Sequence, residues 1–420
     1  MRLPEGLAPL RQRQFAIYFT GRAISLSGSA LAPIALTFAV LDLTGNSATA
    51  LGWVLAARSV PLVVFLLVGG VVADRFSRST VLVASHVLSA LTQGAVAALL
   101  LTGAARLWMV VVIEALNGTF SAFTMPAMQG LIPQVVPRTH LQQANSLLSL
   151  VRGGATIVGP SVGGLLVVGL GSGWAIAVDA LTWAVAAGFM ARLGLPAARS
   201  SDLASTSAWR DLRDGWSAFT SYTWLWVVVL AFGALNAIQA GSIFTLGPMI
   251  AKQTVGIPAW GYAVSAESLG LLAATVVMLR WRPRYALRAG MIGVGALALP
   301  MFVLGLAPAT GLLTALMCVA GAGQEVFGIT WNTSLQEHVP NQLLSRVSSY
   351  DAVGSFVAIP LGELLFGPLA GVWPARDVVL GSGVAYLALV ALTLGSRSVR
   401  RLERAARQAP QPAEPVPLSP

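Results

Sequence analysis

The sequence predicts an all-α membrane protein with twelve transmembrane helices in two pseudo-symmetric six-helix bundles. Hydrophobic residues make up 56% of the 420 residues and charged residues only 10%, whereas soluble domains carry about a quarter charged residues. Apolar runs of roughly 20 residues, enough to cross the hydrocarbon core of a bilayer, recur along the chain. Landmarks of the first half return in the second half, which indicates an internal repeat.

The apolar runs define the predicted spans, and a polar segment divides them into two sets of six. The spans are residues 14–41, 49–73, 79–102, 107–135, 141–169, 174–194, 222–250, 259–280, 286–306, 311–336, 343–371 and 377–395. The predicted domains are a first bundle (1–194), a cytoplasmic linker with an amphipathic helix (195–221), a second bundle (222–396) and a disordered basic, proline-rich tail (397–420). In the linker the apolar positions at helical spacing are Trp209, Leu212, Trp216 and Phe219.

The repeat is clearest around the fifth and eleventh spans. Pro137 precedes span 5 as Pro340 precedes span 11, and Gly159-Pro160 in span 5 has a counterpart near Pro360 in span 11. Two halves related in this way place a substrate site at their interface, near the midplane of the bilayer.

The positive charge lies mainly on one side of the predicted spans. The net charge is +10, and 20 of the 26 lysines and arginines fall in the N-terminus, the alternate loops and the tail. The opposite loops hold only Arg106, Lys252 and Arg376. The positive-inside rule therefore predicts a multi-pass protein of the cell membrane with both termini in the cytoplasm, and the charge does not indicate a nucleic-acid partner.

The loop between spans 2 and 3 carries the sequence GGVVADRFSR, residues 69–78. We call it the gating loop, and its main members are Gly70, Asp74, Arg75 and Arg78. A tight turn with one acid and two arginines can hold adjacent helix ends together and release them, with Asp74 at a helix N-terminus. The alternative is a solvated turn that only fixes topology by its charge.

This stretch resembles the loop signature of the major facilitator superfamily. The resemblance implies that family's fold and a gate that closes in the outward-open state, with the acid facing the start of span 11. The chain departs from the signature at Ser77 and Ser79, where a glycine and a basic residue are usual, which implies a weaker gate. The equivalent loop of the second half, residues 279–288, keeps the arginines and lacks the acid.

Span 5 carries a second motif, formed by Gly159, Pro160, Gly163 and Gly164. Glycines allow close approach of helix backbones and proline bends a helix, so the motif can act as a pivot and seal between the halves. Plain helix packing is the alternative. The motif resembles a signature of exporters in the same superfamily, and the whole chain resembles twelve-span multidrug, macrolide and siderophore exporters, which are proton antiporters.

Ionisable residues inside the spans are expensive and often functional. They are Arg22, Arg58, Glu114, Arg152 and Asp179 in the first half and Glu267, Glu325, Asp351 and Glu363 in the second. In the resembled fold spans 1, 4, 7 and 10 line the cavity. We predict that Glu114, Glu267 and Glu325 couple transport to protons, with Arg22 and Arg152 as their partners; static ion pairs between helices are the alternative.

Amides on the cavity-lining spans are the predicted substrate contacts, namely Asn117, Asn236, Gln239 and Gln324, although hydrogen bonds between helices would also explain them. The sequence has no phosphate-binding loop, no metal-ligand spacing among its three histidines, and no nucleophile with a paired base. We therefore expect no enzyme, no metal and no cofactor, the energy coming from a proton gradient.

The predicted function is proton-coupled efflux of a small amphiphilic or hydrophobic molecule, such as a drug, an antibiotic or a secondary metabolite, by alternating access. The expected partners are the substrate, protons and the lipid bilayer, and the chain is expected to act as a monomer. A narrow siderophore exporter or an uptake transporter is one alternative. A membrane sensor or scaffold that does not transport is another.

Overall fold

The computed structural model describes residues 9–75, 77–137, 140–193, 216–217, 219–278, 280–281, 283–339, 347, 350–351 and 353–403. Twelve helices in these ranges are long and apolar enough to cross a membrane, and no strand occurs among them. This confirms the predicted fold class and the number of spans.

The twelve spans follow one another with short connections inside each half. They are α1 (Arg13–Leu43), α2 (Ala48–Arg75), α3 (Arg78–Leu101), α4 (Leu107–Val135), α5 (Leu141–Leu170), α6 (Ser172–Ala191), α7 (Thr223–Gln253), α8 (Ile257–Met278), α9 (Ala286–Leu306), α10 (Thr310–His338), α11 (Val353–Val372) and α12 (Ala375–Gly395). A short helix, α13 (Arg397–Arg400), follows the last span. The predicted start of span 11, residue 343, lies outside the described residues.

Besides α11, in which a turn at residues 357–358 precedes the helix Ile359–Val372, two spans depart from regular α-helix. In α7, Ala240–Leu246 is π-helical, and the Thr245 hydroxyl donates to the carbonyl of Ala240, five residues earlier, at 3.1 Å. In α9, Gly295–Leu297 forms a turn of 3₁₀-helix just before Pro300, which has no amide hydrogen for the carbonyl of Ala296. Sequence periodicity did not predict either irregularity.

Helix packing is extensive within each half and continues across two pairs of helices between them. In the first half α2 packs on α4, α3 on α6, and α1 on both α5 and α6; in the second half α8 packs on α10, α9 on α10, and α9 on α12. The contacts that join the halves are mainly those of α5 with α8 and of α2 with α11. These two crossings supply most of the described contact between the halves.

Large apolar side chains are exposed along the outside of the helices, among them Leu150, Val168, Leu181, Leu230 and Leu392. In water such a surface would be unfavourable, whereas lipid solvates it. The exposed surface therefore fits a membrane environment.

The predicted linker and tail lie mostly outside the described residues, so the domain boundaries remain a prediction. Trp209 and Leu212 fall in the undescribed part. Trp216 stacks on Phe219 with ring centroids 5.8 Å apart, and both rings contact Tyr350 near the start of α11. In the first residues of the tail, Glu403 pairs with Arg284 at 2.9 Å.

Candidate functional site

The glycines of the span 5 motif place α5 directly against helices of both halves. Gly159 and Gly163 face Ala30 and Leu31 of α1, where a Cβ on Gly163 would lie 2.9 Å from the Leu31 carbonyl oxygen. Across the interface, a Cβ on Gly261 of α8 would lie 2.6 Å from the Pro160 carbonyl oxygen. The backbones therefore approach too closely for larger side chains, and Gly164 lies against the same helix α8.

A polar link lies within this crossing. The amide of Ser161 donates to Oγ of Ser265 at 3.1 Å, and the two hydroxyl oxygens are 2.7 Å apart. Hydrogen bonds between transmembrane helices contribute only about 1 kcal/mol each. The crossing therefore depends mainly on close backbone packing, which can separate without breaking a strong ion pair.

The second crossing joins α2 and α11 and buries a carboxyl group. Ser59 donates to Oε2 of Glu363 at 2.5 Å, and Glu363 is only 8% exposed. Side chains at Gly52 and Gly367 would collide with the backbone of the opposite helix. In the described part of the chain, Glu363 has no cationic partner.

An ion pair joins the halves at the ends of α1 and α7, where Nζ of Lys252 lies 2.6 Å from Oδ1 of Asp42. Together with the Ser161–Ser265 and Ser59–Glu363 links, it lies in the halves of the helices that the topology prediction assigns to the outside. The described contacts between the halves thus concentrate toward the predicted extracellular side.

The gating loop is shorter than the sequence indicated. Helix α2 runs through Gly70 and Asp74 to Arg75, and α3 begins at Arg78. Asp74 therefore lies in the last turn of α2, which corrects its predicted place at a helix N-terminus. That place belongs to Ser77, whose hydroxyl accepts from the Thr80 amide at 3.1 Å; serine here is a good N-cap. The side chains of Asp74, Arg75 and Arg78 lie outside the described residues.

Glu114 is the most enclosed of the predicted proton-coupling acids, with no exposed surface. Its Oε2 lies 3.7 Å from Nη1 of Arg58, and its Oε1 accepts from Nε2 of Gln93 at 3.1 Å. The cation comes from α2 because α4 packs closely on that helix, with Gly118 against the backbone of Arg58. The sequence analysis had assigned this pairing to Arg22 or Arg152.

Arg22 and Arg152 lie together, away from Glu114. The electrostatic neighbours of Arg22 are Tyr18, Arg152 and His86, and Arg152 is exposed on α5. Within the described ranges neither arginine forms an ion pair with an acid. Their predicted pairing with the acids is therefore not present in this structure.

The two predicted proton-coupling acids of the second half, Glu267 and Glu325, lie at the crossing of α8 and α10. Glu267 is 9% exposed and, in the part of the chain that the structure describes, has neither an ion pair nor a hydrogen bond through its side chain. Its backbone packs against Gly321 of α10. On α10 itself, Glu325 is half-buried and accepts a hydrogen bond from Thr275 of α8 at 3.0 Å.

Two of the four predicted substrate-contacting amides bond to neighbouring helices. Asn117 of α4 is buried and donates to Thr92 of α3 at 2.9 Å, and Asn236 of α7 donates to the carbonyl of Ser355 of α11 at 2.9 Å. Gln239 is buried, whereas Gln324 is half-buried with its Oε1 lacking a partner among the described groups. Substrate contact remains a prediction for all four.

Aromatic rings of the second half stack on one another. Phe232 stacks on Phe327 with centroids 3.9 Å apart, and Trp331 follows at 5.9 Å from Phe327. The Trp331 indole donates to Asp351 at 2.9 Å. Phe327 and Trp331 are buried, so they contribute to the packing of this half.

The sequence analysis did not assign the partners of Glu114 and Glu363 or the role of two further buried groups. The partner of Glu114 is Arg58 and that of Glu363 is Ser59, and the two further groups are His86 and Asp179. One sequence signal could have indicated the pairing of Arg58 with Glu114. Both residues lie near the predicted outer ends of their spans, and therefore at similar depth in the membrane.

Comparison with known proteins places this architecture in a family. The profile of the Major Facilitator Superfamily matches residues 17–363. The multidrug efflux pump Tap of Mycolicibacterium fortuitum is 25% identical over 397 residues, which is 91% of this chain and 95% of that protein. Macrolide efflux protein A of Streptococcus pyogenes is 24% identical over 406 residues, 93% of this chain and 97% of that protein.

A solved structure agrees with the fold. The nucleoside transporter NupG superposes with a TM-score of 0.75 over 91% of this chain and 99% of its own, at 14% identity. That identity supports the fold alone, but the family and its relatives are transporters rather than enzymes. With twelve spans and a profile match across most of its length, the chain is a multi-pass membrane protein that belongs to the Major Facilitator Superfamily.

Proposed function

We propose that this protein exports a small amphiphilic or hydrophobic molecule, such as a drug, an antibiotic or a secondary metabolite, from the cytoplasm in exchange for protons. Two efflux pumps resemble the chain along nearly their whole length, and that is the support for export. The substrate would bind between the halves, near the midplane, as in transporters built from two such repeats. The protein would act as a monomer, with no cofactor beyond the proton gradient.

The observation that carries proton coupling is the burial of Glu267 and Glu363 without a cation in the described ranges. An ionised carboxylate held in such surroundings is strongly disfavoured, whereas a protonated one needs only a hydrogen bond. Opening the interface would admit water and let the acid ionise. Gain or loss of a proton would therefore change which arrangement of the halves is favoured.

The contacts between the halves define what must separate during the cycle. The Asp42–Lys252 ion pair, the Ser161–Ser265 link and the Ser59–Glu363 hydrogen bond join the two halves. All three would break when the predicted extracellular side opens, and the glycine-lined crossings would part with them. Substrate taken from the cytoplasm would then be released outside.

We also propose a cell membrane location with both termini in the cytoplasm, on the strength of the arginine distribution. A fluorescent reporter that matures only in the cytoplasm, fused after residue 420, should fluoresce. A periplasmic phosphatase fused at the same place should be inactive; activity of the phosphatase would reverse the topology.

The function is tested with purified protein in liposomes, using ethidium and a macrolide antibiotic as probes. An imposed proton gradient should drive accumulation of at least one probe, and E114Q, E267Q and E325Q should each be tested for loss of proton-driven flux. E403Q is the control, because Glu403 is exposed and pairs with Arg284 outside the spans. Full proton coupling in all three span variants would refute the assignment of these acids. Full coupling in E363Q as well as E267Q would show that buried acids without a cation do not couple transport to protons.

The remaining outcomes separate the alternatives. Probe movement in the direction of proton flow would indicate uptake, and movement of ferric or free siderophore without ethidium would indicate a narrow exporter. No substrate-dependent proton movement with any probe would favour a sensor or scaffold.

A further inference from the structure

A group of buried polar residues lies inside the first half, formed by side chains of α2, α3, α4 and α6. Arg58, Glu114 and Asp179 are its charged members. Glu114 is 0% and Asp179 2% exposed, and the electrostatic neighbours of Asp179 are Arg58 and Glu114. One guanidinium therefore faces two enclosed carboxyl groups.

Close helix packing holds this group in place. Gly118, one turn after Glu114 on α4, packs on the backbone of Arg58, which brings α2 and α4 together. On the other side, a Cβ on Gly28 of α1 would lie 2.9 Å from Oδ1 of Asp179. The indole of Trp183 lies within hydrogen-bonding reach of the Asp179 carboxyl group.

Several acceptor atoms in the group lack a donor. Within the described structure, Oε2 of Glu114, Oδ1 of Asp179 and Nε2 of His86 are buried without a hydrogen-bond partner. His86 uses its other nitrogen, Nδ1, to donate to the Leu82 carbonyl at 2.8 Å, so a neutral His86 presents Nε2 as a further acceptor. Its ring lies edge-on to Trp183 at 4.9 Å. Buried polar atoms normally have a hydrogen-bond partner, whereas these three atoms lack a hydrogen-bond donor.

Charge leads to the same conclusion. With both acids ionised, one arginine would face two carboxylates inside the bilayer. Two carboxylates that share a site are rarely both ionised, because they repel each other. The charged and titratable groups on the helices around Asp179 are Arg58, Glu114 and His86. Arg22 of α1 is an electrostatic neighbour of His86 as well as of Tyr18, and Arg152 of α5 is a neighbour of Tyr18. One added proton would balance Arg58 against the two carboxyl groups and supply a donor for them.

We propose that Glu114 and Asp179 form a site for a single proton, which the two carboxyl groups share beside Arg58. The proton titrates as a property of the pair rather than of either residue. Arg58 has a side chain that is 34% exposed, so the site is not sealed from its surroundings. Only the use of this proton in transport rests on the proposed function.

The role of the site follows from its charge balance. If the proton leaves, Arg58 has to satisfy two carboxylates, which favours an arrangement of the helices that admits water. If the proton returns, the enclosed arrangement of this structure is restored. This deepens the proposed coupling by adding Asp179, which the sequence analysis did not assign.

Infrared spectroscopy of the purified protein at neutral pH tests the proposal without substrate or gradient. The wild type should show the carbonyl stretch of a protonated buried carboxyl group, shifted in deuterated water. E114Q and D179N should each lose the intensity of one such group, because the remaining acid ionises beside Arg58. The E114Q/D179N double variant should lose no more than either single variant.

R58Q provides an independent check, because it removes the cation and should increase the protonated-carboxyl intensity. Unfolding would expose carboxyl groups to water, where they ionise at neutral pH, so it would lower this intensity rather than raise it. E403Q, at an exposed ion pair, should leave the spectrum unchanged. Unchanged intensity in both single acid variants, or a loss in only one of them, would overturn the shared site. If instead liposome transport fails while these spectra behave as stated, the proposed function is wrong and the proton site stands.

Discussion

The buried carboxyl groups of this protein differ in the groups that compensate them. Glu114 has a cation, Arg58, at 3.7 Å, and an amide donor. Glu363 has only the Ser59 hydroxyl. Among the described residues Glu267 has neither an ion pair nor a side-chain hydrogen bond, and the buried Tyr386 is its electrostatic neighbour. Because a buried acid without a counter-charge is stable mainly in its neutral form, these residues should respond to protons to different degrees. Substitution by glutamine should therefore lower the free energy of unfolding less at Glu267 and Glu363 than at Glu114.

At the same scale, the hydrogen bond from Asn117 to Thr92 predicts that Asn117 contributes to helix packing. N117A removes the bond to Thr92 and should lower the free energy of unfolding by about 1 kcal/mol, typical of a hydrogen bond between transmembrane helices. It should leave the apparent KM for ethidium unchanged. Tryptophan fluorescence during thermal unfolding measures the first quantity and liposome flux the second.

The Thr92 partner supplies the control for that prediction. T92A should have a similar effect, and the N117A/T92A double variant should lose no more than the larger single effect, since both remove one bond. Additive losses, or an altered KM in N117A alone, would return Asn117 to the substrate site.

Among the helices, two crossings with glycines at their contacts determine how the halves fit together. At the α5–α8 crossing, Gly164 and Gly261 allow direct backbone contact, and at the α2–α11 crossing Gly52 and Gly367 do the same. Without a hydrophobic driving force between helices in lipid, such close packing supplies much of the association. The helices can therefore separate and repack at moderate cost.

Enlarging a glycine of the span 5 motif should disturb this packing. In G159A the added methyl group would meet the backbone of Ala30, 2.8 Å from its carbonyl carbon. Overpacking of this kind costs about 1–3 kcal/mol, so the thermal midpoint should fall and probe flux with it.

Gly154, five residues earlier on α5, is the matched control because no described atom outside its own helix lies near its Cβ position. G154A should be neutral or stabilising by up to about 1 kcal/mol. Equal behaviour of G159A and G154A would show that the motif has no packing role.

Helix positions and the span 5 motif were predictable because both depend on local sequence. Long apolar runs define the spans whatever their neighbours, and glycine at Gly159 and Gly163 indicates close approach before the partner is known. The π-helical segment of α7 was not predictable from local sequence. It lies where Gly241 packs beneath the Phe366 ring of α11, a contact between residues far apart in the chain.

To predict which charged residues pair, their depths in the membrane have to be compared. Arg58 and Glu114 both lie roughly 10–15 Å from the outer ends of their helices at 1.5 Å per residue, whereas Arg22 is counted from the opposite, cytoplasmic end of α1. Depth alone thus favours Arg58 as the partner of Glu114. Whether two side chains at the same depth face each other depends on how each helix is rotated about its axis. That rotation depends on helix packing, which a single sequence does not show.

At the scale of the whole molecule, the described links between the halves concentrate toward the predicted extracellular ends, from Asp42–Lys252 to Ser59–Glu363. This arrangement encloses Glu363 at the crossing. The central claim is that protonation of enclosed acids stabilises the arrangement and that their ionisation favours its opening. The proposed export would then depend on which side is open when the substrate binds.

The most direct test is the distance between spin labels at Thr44 and Gln253, one on each half, in a C318A background that removes the lone cysteine. A second pair at Thr44 and Thr102, both in the first half, is the control. As pH rises from acidic to alkaline, the distance across the halves should shift from a short to a longer population while the control distance stays constant. A distance between the halves that stays constant over the same pH range would contradict the account.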